Sequence, residues 1–363
     1  MSTTYFFTGF PGFLAANIVK NIAIQNNEAQ FKLLIHPSQM DKADKAVDRL
    51  LTDGLLHREQ FELLEGDITQ PNLGLHEITL ESLRDTVNYV FHLAAIYDLA
   101  VPKDFAYKVN VIGTGHVNDW VLTLNNLRRY IYFSTAYVSG ERKGRVLETE
   151  LQMGQTFKNH YESTKYEAEV LVQQIRSQVP TTIIRPGVVM GNSQTGATIK
   201  FDGPYFAMRF LDKFAAFPIP YVGKGEATLN LVPVDYIVNA TSYLAHAEVA
   251  ENKVYHLTDP SPYPVREAYA LICRNLIGKE PSWTVPASFI SSALSIPSFR
   301  RWTSVEKETI AYFNHPADYD TTQAAKDLEG SGVSCPDFAD YIQIAVSFYK
   351  EHRHDPDKMI PVR

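Results

Sequence analysis

The stretch Thr4-Tyr5-Phe6-Phe7-Thr8-Gly9-Phe10-Pro11-Gly12-Phe13-Leu14-Ala15 runs from an apolar-leaning strand through two glycines directly into a helical pattern that reaches about Asn26. Glycines at a strand-to-helix turn let the backbone come close to a ligand. The helix N-terminus then offers unpaired N–H groups and the positive end of its dipole, which suits a pyrophosphate. Glycine also punctuates ordinary tight turns, so the elements that follow decide the reading.

Those elements alternate. Short β-type runs lie at Phe31 to Ile35, Phe61 to Glu65, Tyr89 to Leu93, Tyr130 to Phe133 and Thr181 to Ile184. Helical spacing occupies Asp41 to Leu51, Asp104 to Leu124 and Tyr161 to Gln178. Short, doubly buried strands separated by helices predict a parallel, doubly wound α/β sheet with right-handed crossovers. From Gly191 to Gly225 no clear period is visible, as in an irregular functional segment. Leu229 to Ala240 and Lys253 to Leu257 read as a helix and a strand that rejoin the sheet, and the chain after Asp259 is proline-dotted and mostly helical. Residues 1–190 and 230–258 are therefore expected to form the nucleotide-binding domain. Residues 191–229 and 259–363 are expected to form a smaller, mostly helical substrate lobe.

Composition narrows the class. Of 363 residues, 45% are hydrophobic and 21% charged, which excludes a disordered or fibrous chain. Lys and Arg number 34 against 41 Asp and Glu, a net charge of −7, which argues against nucleic acid as a partner. Two distant cysteines, Cys273 and Cys335, suggest a reducing compartment and no thiolate metal site; no metal is expected. The apolar run from Tyr5 to Val19 lacks a preceding cation and is broken by Gly9, Pro11 and Gly12, unlike an export signal. No apolar run is long enough for a membrane span, and the expectation is a cytoplasmic protein.

Chemistry is carried by Tyr161-Glu162-Ser163-Thr164-Lys165. Residues four apart share a helix face, and a nearby ammonium favours phenolate, which lowers a tyrosine toward acid–base work. Among 20 tyrosines only Tyr161 has lysine at that spacing, a coincidence that chance alone also produces. Its neighbours add weight. The strand Ile131-Tyr132-Phe133 ends in Ser134-Thr135, and a later one in Ile184-Arg185-Pro186-Gly187-Val188. Both place polar or turn residues at the edge where doubly wound sheets bind ligands.

In this order, the segments resemble the extended short-chain dehydrogenase/reductases, a Rossmann-fold superfamily. Leu64-Glu65-Gly66-Asp67-Ile68, Phe91-His92-Leu93-Ala94-Ala95, Asn110-Val111-Ile112-Gly113-Thr114 and Leu231-Val232-Pro233-Val234-Asp235-Tyr236 support it. Within the superfamily, Gly12-Phe13-Leu14, Ser134-Thr135-Ala136-Tyr137-Val138, Asn159 to Lys165 and Cys335-Pro336 are most similar to the fatty acyl reductase and thioester-reductase, male-sterility-like branch.

The resemblance implies that Tyr161 donates a proton and that Lys165 tunes it while holding the nicotinamide ribose. Thr135 would bind the substrate carbonyl with Ser134 beside it, and Asn110 would lie beneath the site or serve as a buried helix amide. Thr8, Gly9, Phe10, Gly12, Phe13 and Leu14 would form the phosphate turn, Asp67 and Ile68 the adenine site, and Ala94 and Ala95 the cofactor path. Pro186, Gly187 and Val188 would border the nicotinamide. The second strand ends in His36, where the branch usually has Arg for NADP and NAD users have an acid. His36, Ser38, Lys42 or Lys45 remain as phosphate ligands, so NADP is favoured mildly over NAD.

The implied activity is reduction of a carbonyl in an acyl thioester or aldehyde. Coenzyme A or an acyl carrier protein would act in trans, since no carrier domain is attached; a homodimer stays open. A nucleotide-sugar epimerase using NAD and a non-catalytic dinucleotide sensor are the alternatives. The epimerase is disfavoured by His36, a related dehydratase by Ala136 and Tyr137, and the sensor by the joint presence of Tyr161, Lys165 and Thr135. Phe201, Tyr205, Phe206, Met208, Phe210, Phe214 and Phe217 read either as interlobe core or as an apolar wall for an aliphatic chain.

Overall fold

A computed structural model of the protein describes residues 2–52, 54, 56–97, 101–225, 227–303 and 316–359. Seven strands form the central sheet: β1 (Thr4–Thr8), β2 (Gln30–Ile35), β3 (Phe61–Glu65), β4 (Tyr89–His92), β5 (Arg129–Phe133), β6 (Thr181–Pro186) and β7 (Lys253–Leu257). Their order is β7-β6-β5-β4-β1-β2-β3, and every neighbouring pair is parallel. The direction of winding reverses between β1 and β4, which opens a crevice at their C-terminal ends.

Residues of β1 show why both faces are covered. All five are buried, and successive side chains point to opposite sides. Tyr5 and Phe7 enter one core, with Phe7 stacked on Phe91 at 4.5 Å, while Phe6 enters the other, 4.3 Å from Trp120. The first core is closed by helices Phe13–Gln25 and Val234–His246, the second by Gly113–Val121 and His160–Ile175. An apolar strand that must bury both faces needs helices on both, and the chain supplies them alternately.

A third core joins helices Tyr205–Phe214, Val265–Ile277 and Phe338–His352 to Met190 and Phe201. Here the structure departs from the sequence reading. Residues 191–225 contain a helix after Gly203-Pro204, with Tyr205, Phe206, Met208, Arg209 and Leu211 on its buried side. The segment read as a helix from Leu229 begins instead with a short strand, Leu231–Pro233, paired to Val188–Met190 outside the main sheet. The helix starts only after Pro233, whose ring would clash with a preceding helical turn. Residues 304–315 and 360–363 of the expected lobe lie outside the described residues. Among the described residues, no helix is long and apolar enough to cross a membrane.

Candidate active site

The phosphate turn is built by close backbone approach. Gly9 has φ of +89°, and a Cβ there would stand 2.7 Å from the Ala94 nitrogen. Gly12 donates its N–H to the Gly9 carbonyl at 2.8 Å, and a Cβ on Gly12 would lie 2.6 Å from that oxygen. No side chain caps the N-terminus of helix Phe13–Gln25, so its first N–H groups face the turn. Phe10 and Ala15 are buried, and Phe13 and Leu14 pack on the first core, which fixes the helix against the sheet. The result is a cradle that only glycine backbone can form, with the donors an anionic pyrophosphate requires.

The neighbouring strand ends complete this half. His36 is exposed after β2, and its Nδ1 is engaged by Ser38 at 2.8 Å. Burial pulls the Asp67 carboxyl upward, but hydrogen bonds from the Thr69 N–H and hydroxyl, helped by His36 and Lys108, hold it below its ordinary value. Ile68 is buried, and a Cβ on Gly113 would lie 2.8 Å from its Cδ1. Ala94 donates its N–H to the Thr8 hydroxyl at 3.1 Å, and Ala95 beside it is half-buried. Lys42 and Lys45 are exposed on helix Met40–Leu51.

The other half lies around β5 and β6. Asn159 caps helix His160–Ile175 by accepting from the Glu162 N–H at 3.0 Å. Thr135, buried just past β5, lies next to Tyr161. Burial pushes the Tyr161 phenol up to about 12, against the lowering pull of the Thr135 hydroxyl; Glu162 and Tyr97 raise it further. Lys165 is 4% exposed, and its Nζ donates to the Phe133 carbonyl at 2.6 Å and the Tyr132 hydroxyl at 3.0 Å. Burial pushes the Lys165 ammonium down to about 7, only partly opposed by Glu169. The expected lowering of Tyr161 by Lys165 is therefore absent from this structure. Desolvation dominates the phenol, and the ammonium spends its bonds on β5.

Ser134 and Asn110 have other engagements. The Ser134 hydroxyl donates to Glu169, which also pairs with the fully buried Arg185 at 2.6 Å. Asn110, in a π-helical segment spanning Tyr107–Ile112, accepts from the Ile96 N–H at 2.8 Å. Its Nδ2 donates to the Ile96 carbonyl and the Thr164 hydroxyl, each at 3.0 Å. Asn110 thus straps the strand-end segment after β4 to helix His160–Ile175. Pro186 ends β6, and Gly187 lies against Asn230, whose carbonyl accepts the Val188 N–H at 2.8 Å.

The aromatic stretch divides. Phe201, Tyr205 and Met208 belong to the third core, whereas Phe206 and Phe210 line an apolar cavity with Tyr221, Tyr269, Ile290 and Leu294. Its volume is about 50 Å³, well below the ~300–1,000 Å³ of a formed ligand pocket. Phe217 is exposed. Sequence reasoning missed His92 and Thr114, which are hydrogen-bonded in line with Thr8, and Tyr132, which accepts from Lys165. A histidine and a tyrosine inside strands buried on both faces were the available signal.

Comparison with known proteins follows this geometry. The chain is 26% identical over 271 residues to an alcohol-forming fatty acyl-CoA reductase of Simmondsia chinensis, covering 57% of this chain and 53% of that relative. It thus spans about half of that relative's length. Among solved structures, the terminal R domain of the myxalamid PKS-NRPS biosynthetic pathway superposes with a TM-score of 0.83 at 24% identity, over 98% of this chain and 92% of that one. A thiolation-reductase di-domain from an archaeal non-ribosomal peptide synthetase gives 0.74 at 17% identity, over 98% and 76%. Both share the fold. The male sterility protein family, an NAD-binding family, matches residues 7–241, and the chain belongs to it.

Proposed function

We propose that this chain is an NADP-dependent reductase of an acyl thioester or aldehyde, with Tyr161 as proton donor. The observation that carries the reading is the approach of Tyr161 to the buried Thr135 hydroxyl just past β5, with Tyr161 on the same helix as Lys165. Gly9, Gly12 and the uncapped helix would hold the pyrophosphate, and Lys165 and Pro186 to Val188 the nicotinamide riboside. When bound, the nicotinamide supplies a hydride to the carbonyl carbon. With its phenol raised to about 12, Tyr161 is protonated at neutral pH, the state a donor to the carbonyl oxygen requires. The Thr135 hydroxyl stabilises charge developing on that oxygen, an interaction that strengthens as the transition state forms. From a thioester, the resulting hemithioacetal releases a thiol and an aldehyde.

Absence of a carboxylate at the end of β2 favours the 2′-phosphate of NADP, with Lys42 and Lys45 on the next helix as its partners. The names of the relatives support coenzyme A or a carrier protein as the thiol. Residues 191–229 and 259–363 form the substrate lobe in this reading, supported by the separate third core. The test is cofactor oxidation against acyl-CoA, acyl-carrier and aldehyde substrates, with UDP-sugars as the competing class. Tyr161→Phe should lower kcat about 100-fold or more with little change in cofactor affinity. Wild-type turnover by that variant, or conversion of UDP-sugars alone, would overturn the reading.

A further inference from the structure

We propose that Tyr132 is a positioning residue for Lys165: its buried phenol, packed against the His92 that Thr8 and Thr114 hold, fixes the ammonium beside the cofactor cleft. The proposal rests on the reductase reading above and adds to it a buried spine that the catalytic residues themselves do not contain.

The spine follows from counting donors and acceptors. Lys165 donates to the Tyr132 oxygen at 3.0 Å, so the Tyr132 proton must go elsewhere, and the neighbouring Thr114 hydroxyl opposes the upward push of burial on the Tyr132 phenol. Thr114 spends its own proton on the Asn110 carbonyl at 2.6 Å, so it accepts from His92 Nε2 at 3.0 Å and offers Tyr132 only lone pairs. His92 Nδ1 is then bare and accepts the Thr8 hydroxyl proton at 2.7 Å, while the Thr8 oxygen accepts the Ala94 N–H at 3.1 Å. From Thr114 to Thr8 each role is forced by the next.

Every member is 4% exposed or less. In so dry a setting an unmade bond is costly, which holds the arrangement to one solution. Two points where the cofactor is expected are thereby tied together: Ala94 against Gly9, and the Lys165 ammonium at the end of β5. Lys165 also gives one proton to the Phe133 carbonyl, and no protein partner takes its third among the described residues. That proton is left for a ribose hydroxyl. The titratable groups facing Lys165 are Glu169 on its own helix, Tyr132 on β5 and His92 on β4, and Tyr161 acts in turn on Tyr132. His92 is neutral, because burial and the charge of Lys165 push it down to about 3. Thr114 is the uncharged contribution of helix Gly113–Val121.

Tyr132→Phe removes the acceptor that favours the ammonium without emptying the core. Two readouts apply: the pH of the descending limb of kcat/KM, and the Lys165 titration followed by NMR of labelled lysine, assigned by its loss in Lys165→Met. We expect kcat to fall about tenfold and both midpoints to move down by about one pH unit. Thr114→Val should reproduce this in weaker form and Thr114→Ser should restore wild-type values, which a merely structural role would not require. A folded Tyr132→Phe with unchanged kcat and an unchanged Lys165 midpoint overturns the proposal. If Tyr132→Phe does not fold, Thr114→Val decides by the same midpoints. The NMR titration decides even without a known substrate. An inactive Tyr161→Phe beside an unaffected Tyr132→Phe sinks the positioning role alone, whereas a wild-type protein that oxidises no cofactor with acyl or aldehyde substrates sinks the reductase reading.

Discussion

If the proposed reduction holds, raising the pH should switch it off at Lys165 long before it reaches Tyr161. Burial holds the Lys165 ammonium at about 7 and the Tyr161 phenol at about 12. Both are free-enzyme values, and the pH dependence of kcat/KM reports free-enzyme groups. If the ammonium is the form that grips the ribose, kcat/KM is flat below about pH 7 and then falls tenfold per pH unit. At about pH 9 only ~1% of Lys165 stays protonated, so the loss is about 100-fold. Initial rates at subsaturating carbonyl substrate and constant ionic strength, over about pH 5 to 10, test this. A plateau that persists through about pH 10 would refute the argument, because Tyr161 would then be the only group in control.

Stability should move the opposite way over the same window. A depressed ammonium binds its proton less tightly folded than unfolded. Its contribution is therefore fully present above the ordinary lysine value and is lost as pH falls through about 7. The ceiling is about 5 kcal/mol, reached only if burial is undiminished by water entry. Urea unfolding at about pH 6 and about pH 9 should show the protein more stable at the higher value, where it is less active.

Three further outcomes are expected. Gly9→Ala must place a side chain at φ of +89° and 2.7 Å from the Ala94 nitrogen; cofactor affinity measured by fluorescence quenching should drop at least about tenfold, the strain alone accounting for ~1–2 kcal/mol. Glu169→Ala strands the Arg185 guanidinium, which is 1% exposed, and urea denaturation should show a loss of about 3–5 kcal/mol. NADPH should bind more tightly than NADH in the same titration, and Lys42→Ala with Lys45→Ala should narrow the gap; a preference for NADH would return the chain to its NAD-using relatives.

What the sequence made legible was what repeats or what cannot be replaced. The apolar runs of β1 to β6 announced a doubly buried sheet, because no polar face interrupts them. Gly9 and Gly12 stood at the turn after β1, where the Gly9 backbone approaches the end of β4. Helix Tyr205–Phe214 escaped notice because it is short and follows glycine and proline, so its buried side spans too few residues to establish a period.

Side-chain destinations were the harder part, and simple parity explains one of them. Neighbouring residues in extended backbone face opposite ways, so Ser134 and Thr135 could not both serve one carbonyl. Thr135 meets Tyr161, and Ser134 turns to Glu169. Helical spacing likewise brought Tyr161 and Lys165 to one face but left the tip of a long, flexible lysine undetermined. Its ammonium lies where burial demands acceptors, at the Phe133 carbonyl and the Tyr132 phenol. A charge placed inside a sheet must bring its partners with it. Arg185 does so through Glu169, two turns along the helix from Tyr161, and that pair ties β6 to the helix bearing Tyr161 and Lys165. The site is thus rigid for the same reason that its groups are perturbed: each charge is dry, and each is held by a bond that only the folded sheet provides.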